Sequence, residues 1–113
     1  MPRADGLREH TDVDRVIHDP VRFAIMACLA LLESADFLFL LQELSLTKGN
    51  LAQHINKLEE SGYVTIEKVI RQKRTHTMYQ LTPAGRAAFD TYRRSMRRVL
   101  ERIDDPSPMA DRR

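Results

Sequence analysis

The sequence has one cysteine, no tryptophan and no apolar run that approaches the roughly 20 residues of a membrane-spanning helix. Cys28 alone cannot form an internal disulfide, which is typical of a protein from a reducing compartment. There is no basic-then-apolar leader, so we expect no secretory signal and a cytoplasmic location. Cys28 falls inside an apolar helical pattern, where a thiol is more often a small buried side chain than a redox sensor.

Catalytic and metal-binding patterns are also missing. Tetrahedral metal sites need three or four converging Cys, His or carboxylate ligands, whereas the four histidines stand at positions 10, 18, 54 and 76, in separate predicted segments. There is no phosphate-binding glycine loop, no G-x-S-x-G and no Cys-His pair. The sequence therefore predicts no enzyme, no catalytic residue, no metal and no cofactor.

Length and composition fit one small domain. A chain of 113 residues, 42% of them apolar, can bury a modest core. Polar segments with proline or glycine predict disordered tails over 1–12 and 104–113, with one domain over 13–103 between them.

The net charge of +2 is small, but it is unevenly distributed. Residues 1–46 contain eight acidic and four basic side chains. Residues 47–82 contain six basic and three acidic ones, and residues 83–103 contain six basic and two acidic ones. This asymmetry is typical of a protein with a polyanionic partner.

Residues 46–64 read L-T-K-G-N-L-A-Q-H-I-N-K-L-E-E-S-G-Y-V and contain the signals of one amphipathic helix. Thr47 can cap its start, and Gly62 can end it in the left-handed conformation. Leu51, Ile55 and Leu58 recur at i, i+4 and i+7 and predict one buried stripe. A short helix precedes this amphipathic helix, and the two together form a predicted helix-turn-helix.

The segments before this motif predict three helices. A short helix is expected over 13–17. Asp19 followed by Pro20 is a strong start signal for a second helix, which runs to about Ser34. Asp36 then caps a helix over 37–44.

The segments after the motif predict a hairpin and a long helix. Alternating β-branched and aromatic residues predict strands over 63–70 and 77–81. The basic segment 71–76 lacks the Asn-Gly of a two-residue turn, so a longer, mobile loop is expected. Thr82 followed by Pro83 starts a helix to about residue 103. The predicted fold class is mainly α with a small β-hairpin (α+β), a winged helix-turn-helix with a long C-terminal dimerisation helix.

Three stretches resemble MarR/ArsR-like winged helix-turn-helix transcriptional regulators. V-I-H-D-P-V-R-F-A-I at 16–25 is similar to their first-helix signature, and L-T-P-A-G-R at 81–86 resembles the phrase after the wing in MarR- and PadR-like proteins. T-K-G-N-L-A-Q-H at 47–54 is similar to the T-x-G-N-L-x-x-H recognition helix of a small bacterial and archaeal group. The resemblance covers about 13–103. It implies a dimeric, sequence-specific regulator of double-stranded DNA, most simply a repressor, associated with the nucleoid when bound.

The polar face of the recognition helix and the basic loop contain the candidate DNA contacts. Gln53 and Asn50 can bond bidentately to adenine, and Lys57 suits a phosphate. Gly49 lacks a Cβ, which would let the backbone approach DNA, and arginines suit a narrow minor groove. Any one of these residues could belong to an ordinary solvated face, but the basic wing beside them favours DNA. The predicted set is Thr47, Lys48, Gly49, Asn50, Gln53, His54, Lys57, Arg71, Lys73 and Arg74.

The last helix has an apolar seam with heptad-like spacings of 3, 4, 3 and 4. A second copy of the chain could cover it in a two-fold dimer. Packing against the chain's own first helix is the alternative, because the seam covers only about two heptads. The predicted dimer interface is Val13, Val16, Ile17, Phe89, Tyr92, Met96, Val99 and Ile103.

The apolar residues Leu38, Phe39 and Leu40 fall in the predicted helix over 37–44, the first helix of the helix-turn-helix. These side chains could line a dimer groove or a pocket for a small-molecule effector. Ordinary packing of a small core with one exposed leucine is the simpler explanation.

Three functions are compatible with these patterns. A sequence-specific regulator reads base edges. An interaction module would bind a protein through the apolar helix over 37–44, and its partner binding would survive charge reversal of Arg71, Lys73 and Arg74 in the wing. A low-specificity architectural binder would show a steep salt dependence with little sequence preference. The basic wing and the polar recognition face favour the regulator.

Overall fold

The computed structural model of the protein describes residues 14–104. That part of the chain forms four helices and three strands. In chain order they are α1 (Pro20–Leu31), β1 (Ala35–Asp36), α2 (Phe37–Leu44), α3 (Lys48–Glu60), β2 (Val64–Arg71), β3 (Arg74–Leu81) and α4 (Pro83–Asp104). Val13 and both predicted tails lie outside the described residues, except Asp104, which is the last residue of α4.

The three predicted caps start their helices as expected. The Asp19 carboxylate accepts from the N–H groups of Val21 and Arg22 at 2.9 and 3.0 Å. The Asp36 carboxylate accepts from the Phe39 N–H at 2.7 Å, and the Thr47 hydroxyl accepts from the Asn50 N–H at 3.2 Å. Each cap satisfies amides that have no partner inside the helix.

Two predictions about the N-terminal part were wrong. Residues 15–17 form a turn instead of a short helix, because the Asp14 carboxylate accepts from the N–H groups of Val16 and Ile17 and so competes with helical bonding. Helix α1 ends at Leu31 rather than near residue 34, since the chain becomes extended and enters β1.

The sheet has three antiparallel strands in the order β1-β3-β2. Strand β1, which the sequence did not predict, pairs Ala35 with Tyr79 and Asp36 with Met78. Its two residues are too few for any alternation to be visible in the sequence. The pairing anchors the start of α2 to the hairpin.

The hairpin that forms the wing is more regular than predicted. The expected long loop at 71–76 is a two-residue turn of Gln72 and Lys73, and strands β2 and β3 extend to Arg71 and Arg74, which face each other. The φ angles of Gln72 and Lys73 are 51° and 65°. Two left-handed residues give a turn whose twist matches that of the strands, although neither is a glycine, which adopts this conformation without steric cost.

The core lies between the helices and the inner face of the hairpin. The predicted stripe of α3 is confirmed: Leu51 and Leu58 are fully buried and Ile55 is 2% exposed. They pack with Ile25, Met26 and Leu29 of α1 in one cluster. These contacts fix which face of α3 is left outside.

The base of the wing is held by the segment before α4. The Thr82 hydroxyl donates to the Gly62 carbonyl at 2.6 Å and accepts from the Gly85 N–H at 2.8 Å. A Cβ at Gly85 would overlap the carbonyl of Tyr63, so only glycine fits at this position without a shift of the main chain. The L-T-P-A-G phrase therefore has a structural role: it docks α4 against the end of α3.

Candidate nucleic-acid interface

Helices α2 and α3 form the predicted helix-turn-helix. Ser45 adopts the left-handed conformation (φ 53°), and the Leu46 N–H donates to the Leu41 carbonyl at 3.2 Å, which closes the turn. The opposite side of α3 from its buried stripe is solvent-exposed. The predicted DNA contacts that are exposed there are Lys48, Gly49, Asn50, Gln53 and Lys57, with the capping Thr47 at the tip; Asn56, Glu59 and Glu60 are exposed as well.

No atom packs closely enough against Gly49 to exclude a larger side chain. A Cβ built on it meets no atom within 4 Å, and its φ is not positive. Glycine inside a helix costs about 0.5–1 kcal/mol relative to alanine. Nothing among the described residues therefore requires glycine at this position.

His54 differs from its neighbours and does not belong with the exposed DNA-facing set. Its side chain is 19% exposed and turns toward α1. Arg22 Nη1 lies 3.1 Å from His54 Nδ1, and the Asp19 carboxylate lies 3.9 Å from the same nitrogen. Because a guanidinium can only donate, Nδ1 accepts and the ring proton is on Nε2. Polarity alone could not show that this residue faces its own chain.

Asp19 sits at the centre of this contact. Burial alone would raise the pKa of its carboxyl group. The hydrogen bond from the Arg22 N–H, the Arg22 charge, nearby His54 and the Val21 N–H together outweigh burial, so the pKa lies below its usual value. The carboxylate therefore stays ionised as helix cap and as neighbour of Arg22.

The wing presents a dense group of cations. Arg71, Lys73 and Arg74 are all exposed, and Arg71 and Arg74 are paired directly across the hairpin. Like charges in that position repel each other, and a polyanion at the wing tip would relieve the repulsion. Sequence reasoning placed Ile70 at the end of the first predicted strand and gave it no further role, whereas it is 77% exposed beside this tip.

The predicted seam of α4 divides into two halves. Phe89 and Tyr92 are 6% and 7% exposed and lie in this chain's own core, with ring centroids 5.4 and 5.8 Å from Phe23. Ile17 is fully buried there too. These three side chains have almost no accessible surface that a second copy could contact. For them the alternative interpretation holds, namely packing against the chain's own first helix. Val16 remains half-buried.

The C-terminal half of the same seam is uncovered. Met96 and Val99 are half-buried, while Leu100 and Ile103 are 59% and 67% exposed. Leu100 was not predicted, because it falls outside the 3-4 spacing. A groove of about 600 Å³ opens beside these residues, between α4 and the start of α1. Its apolar lining is Ile17, Pro20, Phe23, Met96, Val99 and Leu100.

The apolar stretch of α2 lies away from that groove. Leu40 is fully buried in the core, whereas Leu38 and Phe39 are 59% and 41% exposed. Cys28 is half-buried, and burial, with a smaller effect of Glu43, raises the pKa of its thiol. A raised pKa disfavours the reactive thiolate.

No three histidine, cysteine or carboxylate side chains within residues 14–104 lie close enough together to hold a metal ion. No helix there is both long and apolar enough to cross a membrane.

Comparison with known proteins gives the same assignment as the geometry. The profile of the winged helix DNA-binding domain family matches residues 21–100. An uncharacterised protein of Methanocaldococcus jannaschii is 40% identical over 78 residues, which cover 69% of this chain and 85% of that protein.

Solved structures have the same architecture. A transcriptional regulator homologue from Pyrococcus horikoshii OT3 is 32% identical and superposes with a TM-score of 0.81, covering 88% of this chain and 98% of its own. Apo wild-type MarR from E. coli is 18% identical, with a TM-score of 0.70 over 87% of this chain and 70% of its own, and shares the fold. The chain belongs to the winged helix DNA-binding domain family.

Proposed function

We propose that the protein is a dimeric transcriptional regulator that binds a pseudo-palindromic site on double-stranded DNA and represses by occupying it. The observation that supports this most directly is that the polar tip of α3 and the three cations of the wing are all exposed. The chain thus presents groups that can read base edges together with groups that can neutralise phosphates.

Each exposed side chain has a role in this proposal. Asn50 and Gln53 bond to base edges in the major groove, and Lys48 bonds to a guanine or a phosphate. Lys57 lies two turns from the tip and contacts the phosphate backbone. The wing cations Arg71, Lys73 and Arg74 reach the adjacent minor groove, where A·T-rich sequences attract arginine.

The occupant of the α4 groove is a second copy of the chain. Helix α4 has 22 residues and is therefore about 33 Å long. Its first half is buried in the domain, while Leu100 and Ile103 project from the second half beside an apolar groove. A two-fold axis along this half would let each copy insert its exposed side chains into the other's groove. The interface in this proposal comprises Val16, Met96, Val99, Leu100 and Ile103.

Such a dimer places two recognition helices on one face of the DNA. Half-sites one helical turn apart, about 34 Å, would then form an inverted repeat. An apolar small-molecule effector that entered the groove would compete with the second copy, so ligand-dependent dissociation of the dimer would reveal one.

A protein-interaction module is the second candidate, because Leu31, Leu38 and Phe39 are exposed at 87%, 59% and 41%. Changing Arg71, Lys73 and Arg74 to glutamate separates the two: a protein partner that docks on α2 would still bind, whereas DNA would not.

Selection of bound duplexes from a random DNA pool at near-physiological salt tests the proposal. An enriched inverted repeat with a fixed spacing is the expected result. Binding without enrichment, with affinity that collapses as salt rises, would identify a low-specificity architectural binder instead. Absence of DNA binding would favour the interaction module.

A further inference from the structure

The turn at residues 14–18 contacts two parts of the proposed regulator, the base of the wing and helix α4. The Tyr63 hydroxyl, at the base of the wing, donates to the Asp14 carboxylate at 2.5 Å. His18 Nδ1 is hydrogen-bonded to the Tyr92 hydroxyl of α4 at 2.6 Å. We name this turn the junction, because it ties the wing to the helix that forms the proposed dimer.

Arg22 connects the junction to the recognition helix. Its Nε donates to the Val16 carbonyl at 2.6 Å, and its Nη1 donates to His54 Nδ1 at 3.1 Å. The two bonds come from one planar guanidinium, so the direction of one fixes the direction of the other. The backbone of Arg22 is itself held in place, since its main-chain N–H donates to the Asp19 carboxylate that caps α1.

The other directional contacts around α3 hold its C-terminal end, where the Thr82 hydroxyl donates to the Gly62 carbonyl and the Thr82 N–H donates to the Tyr63 carbonyl. Leu51, Ile55 and Leu58 are held by apolar packing, which is strong but non-directional. His54 lies on the side of α3 between that stripe and the exposed face, next to Gln53. A directional bond at this point restrains rotation and sliding of the helix.

We infer that Arg22 is a positioning residue that sets the distance and angle between the two recognition helices of the dimer. The inference rests on the proposed function. Arg22 holds α3 to the junction, the junction holds α4 through His18 and Tyr92, and α4 holds the second copy. The base-reading side chains Asn50 and Gln53 are not part of this chain of contacts.

This role predicts an effect on half-site spacing rather than on base preference. Shifting one half-site by one base pair moves it along and around the helix, and a rigid dimer then loses contacts in one half-site. If that loss equals the effect of one mismatched base pair, the wild type should prefer one spacing by roughly 5–150-fold. A dimer without the Arg22 bonds should accept neighbouring spacings within about threefold, with the same half-site bases and the same salt slope.

The experiment compares affinities for duplexes that contain the selected half-sites at five successive spacings. Arg22→Ala removes both bonds, Arg22→Lys keeps the charge but not the fork, and His54→Leu removes the acceptor; all three should broaden the spacing preference. His54→Asn retains an acceptor oxygen where Nδ1 lies and should restore it. Arg94→Ala, which removes an exposed arginine from α4, is the matched control for lost charge and should keep the wild-type spacing.

The outcomes distinguish a failure of the proposed function from a failure of the role inferred for Arg22. A wild type that enriches no inverted repeat overturns the proposed function and this inference with it. A wild type with one spacing, together with folded Arg22→Lys and His54→Leu variants that keep the same preference, overturns the inference alone. If Arg22→Ala fails to give a cooperative thermal unfolding curve, those two variants decide.

Discussion

Replacing Gly49 with alanine should change stability and DNA binding in opposite directions. Gly49 is the second residue of α3, has a helical φ, and has no atom within 4 Å of the position a Cβ would take. The methyl group therefore meets no clash, and alanine loses less backbone entropy on folding. Helix propensity predicts a gain of about 0.5–1 kcal/mol in unfolding free energy. For a domain of this size that is roughly 2–8 °C in Tm.

DNA binding should weaken in the same variant. If the tip of α3 enters the major groove, the added methyl group pushes the backbone outward and weakens the contacts of Asn50 or Gln53. Loss of one bidentate contact is worth about 1–3 kcal/mol, or roughly 5–150-fold in affinity for the selected site. Thermal unfolding followed by circular dichroism and titration of a labelled duplex measure the two effects on the same preparation.

Gly62→Ala is the matched control. This position is also open to a Cβ, but its φ is +79°, so alanine there should lower the unfolding free energy by about 1–2 kcal/mol and leave the intrinsic affinity of the folded protein unchanged. A Gly49→Ala variant that is more stable and binds the operator as tightly as the wild type would refute the placement of this tip against DNA.

Four further changes test other parts of the structure. Gln53→Ala should relax base preference at one position per half-site in a repeated duplex selection, at about 1–3 kcal/mol. Leu100→Asp, on a position exposed in the single chain, should shift the protein to monomer in sedimentation velocity, weaken operator binding and lower Tm only by the stabilisation that dimerisation supplies. Gly85→Ala should lower the unfolding free energy by at least about 1–3 kcal/mol in a denaturant titration, because its Cβ would overlap main-chain atoms that cannot easily move. The hydrogen bond to Asp14 and burial raise the pKa of Tyr63 from 10 to about 12; since folding favours the neutral phenol, stability should fall as pH rises from 10 to 12, and Tyr63→Phe should flatten that fall.

Local signals in the sequence were sufficient for the helix starts and for the buried face of α3. Asp19, Asp36 and Thr47 cap helices through bonds to residues two or three positions away, so their effect is written in adjacent letters. Strand β1 depends instead on pairing with β3, more than forty residues later. No local pattern in two residues could reveal it.

Periodicity also could not separate the two partners of α4. The same face of this helix contains Phe89 and Tyr92, which the chain buries itself, and Leu100 and Ile103, which it leaves exposed. The apolar spacing continues along the whole helix because the buried and the exposed residues share one face. The change from buried to exposed comes where α4 extends past the rest of the domain. His54 shows the same limit for a polar side chain: a helical pattern identifies the exposed side but not a hydrogen bond to α1.

Two features of the structure oppose folding, and both lie on the proposed DNA-facing surface. Gly49 weakens the first turn of α3 without relieving any clash. At the wing tip, Gln72 and Lys73 adopt the left-handed conformation without being glycine, and Arg71 faces Arg74 across the hairpin. A sequence selected for stability alone would remove both costs, since neither residue set is fixed by the core. A polyanion would reverse the second cost by placing negative charge between the arginines, and close contact with it would give the glycine its purpose. Under the proposed function, both costs fall where the chain meets DNA, which is the partner that would offset them.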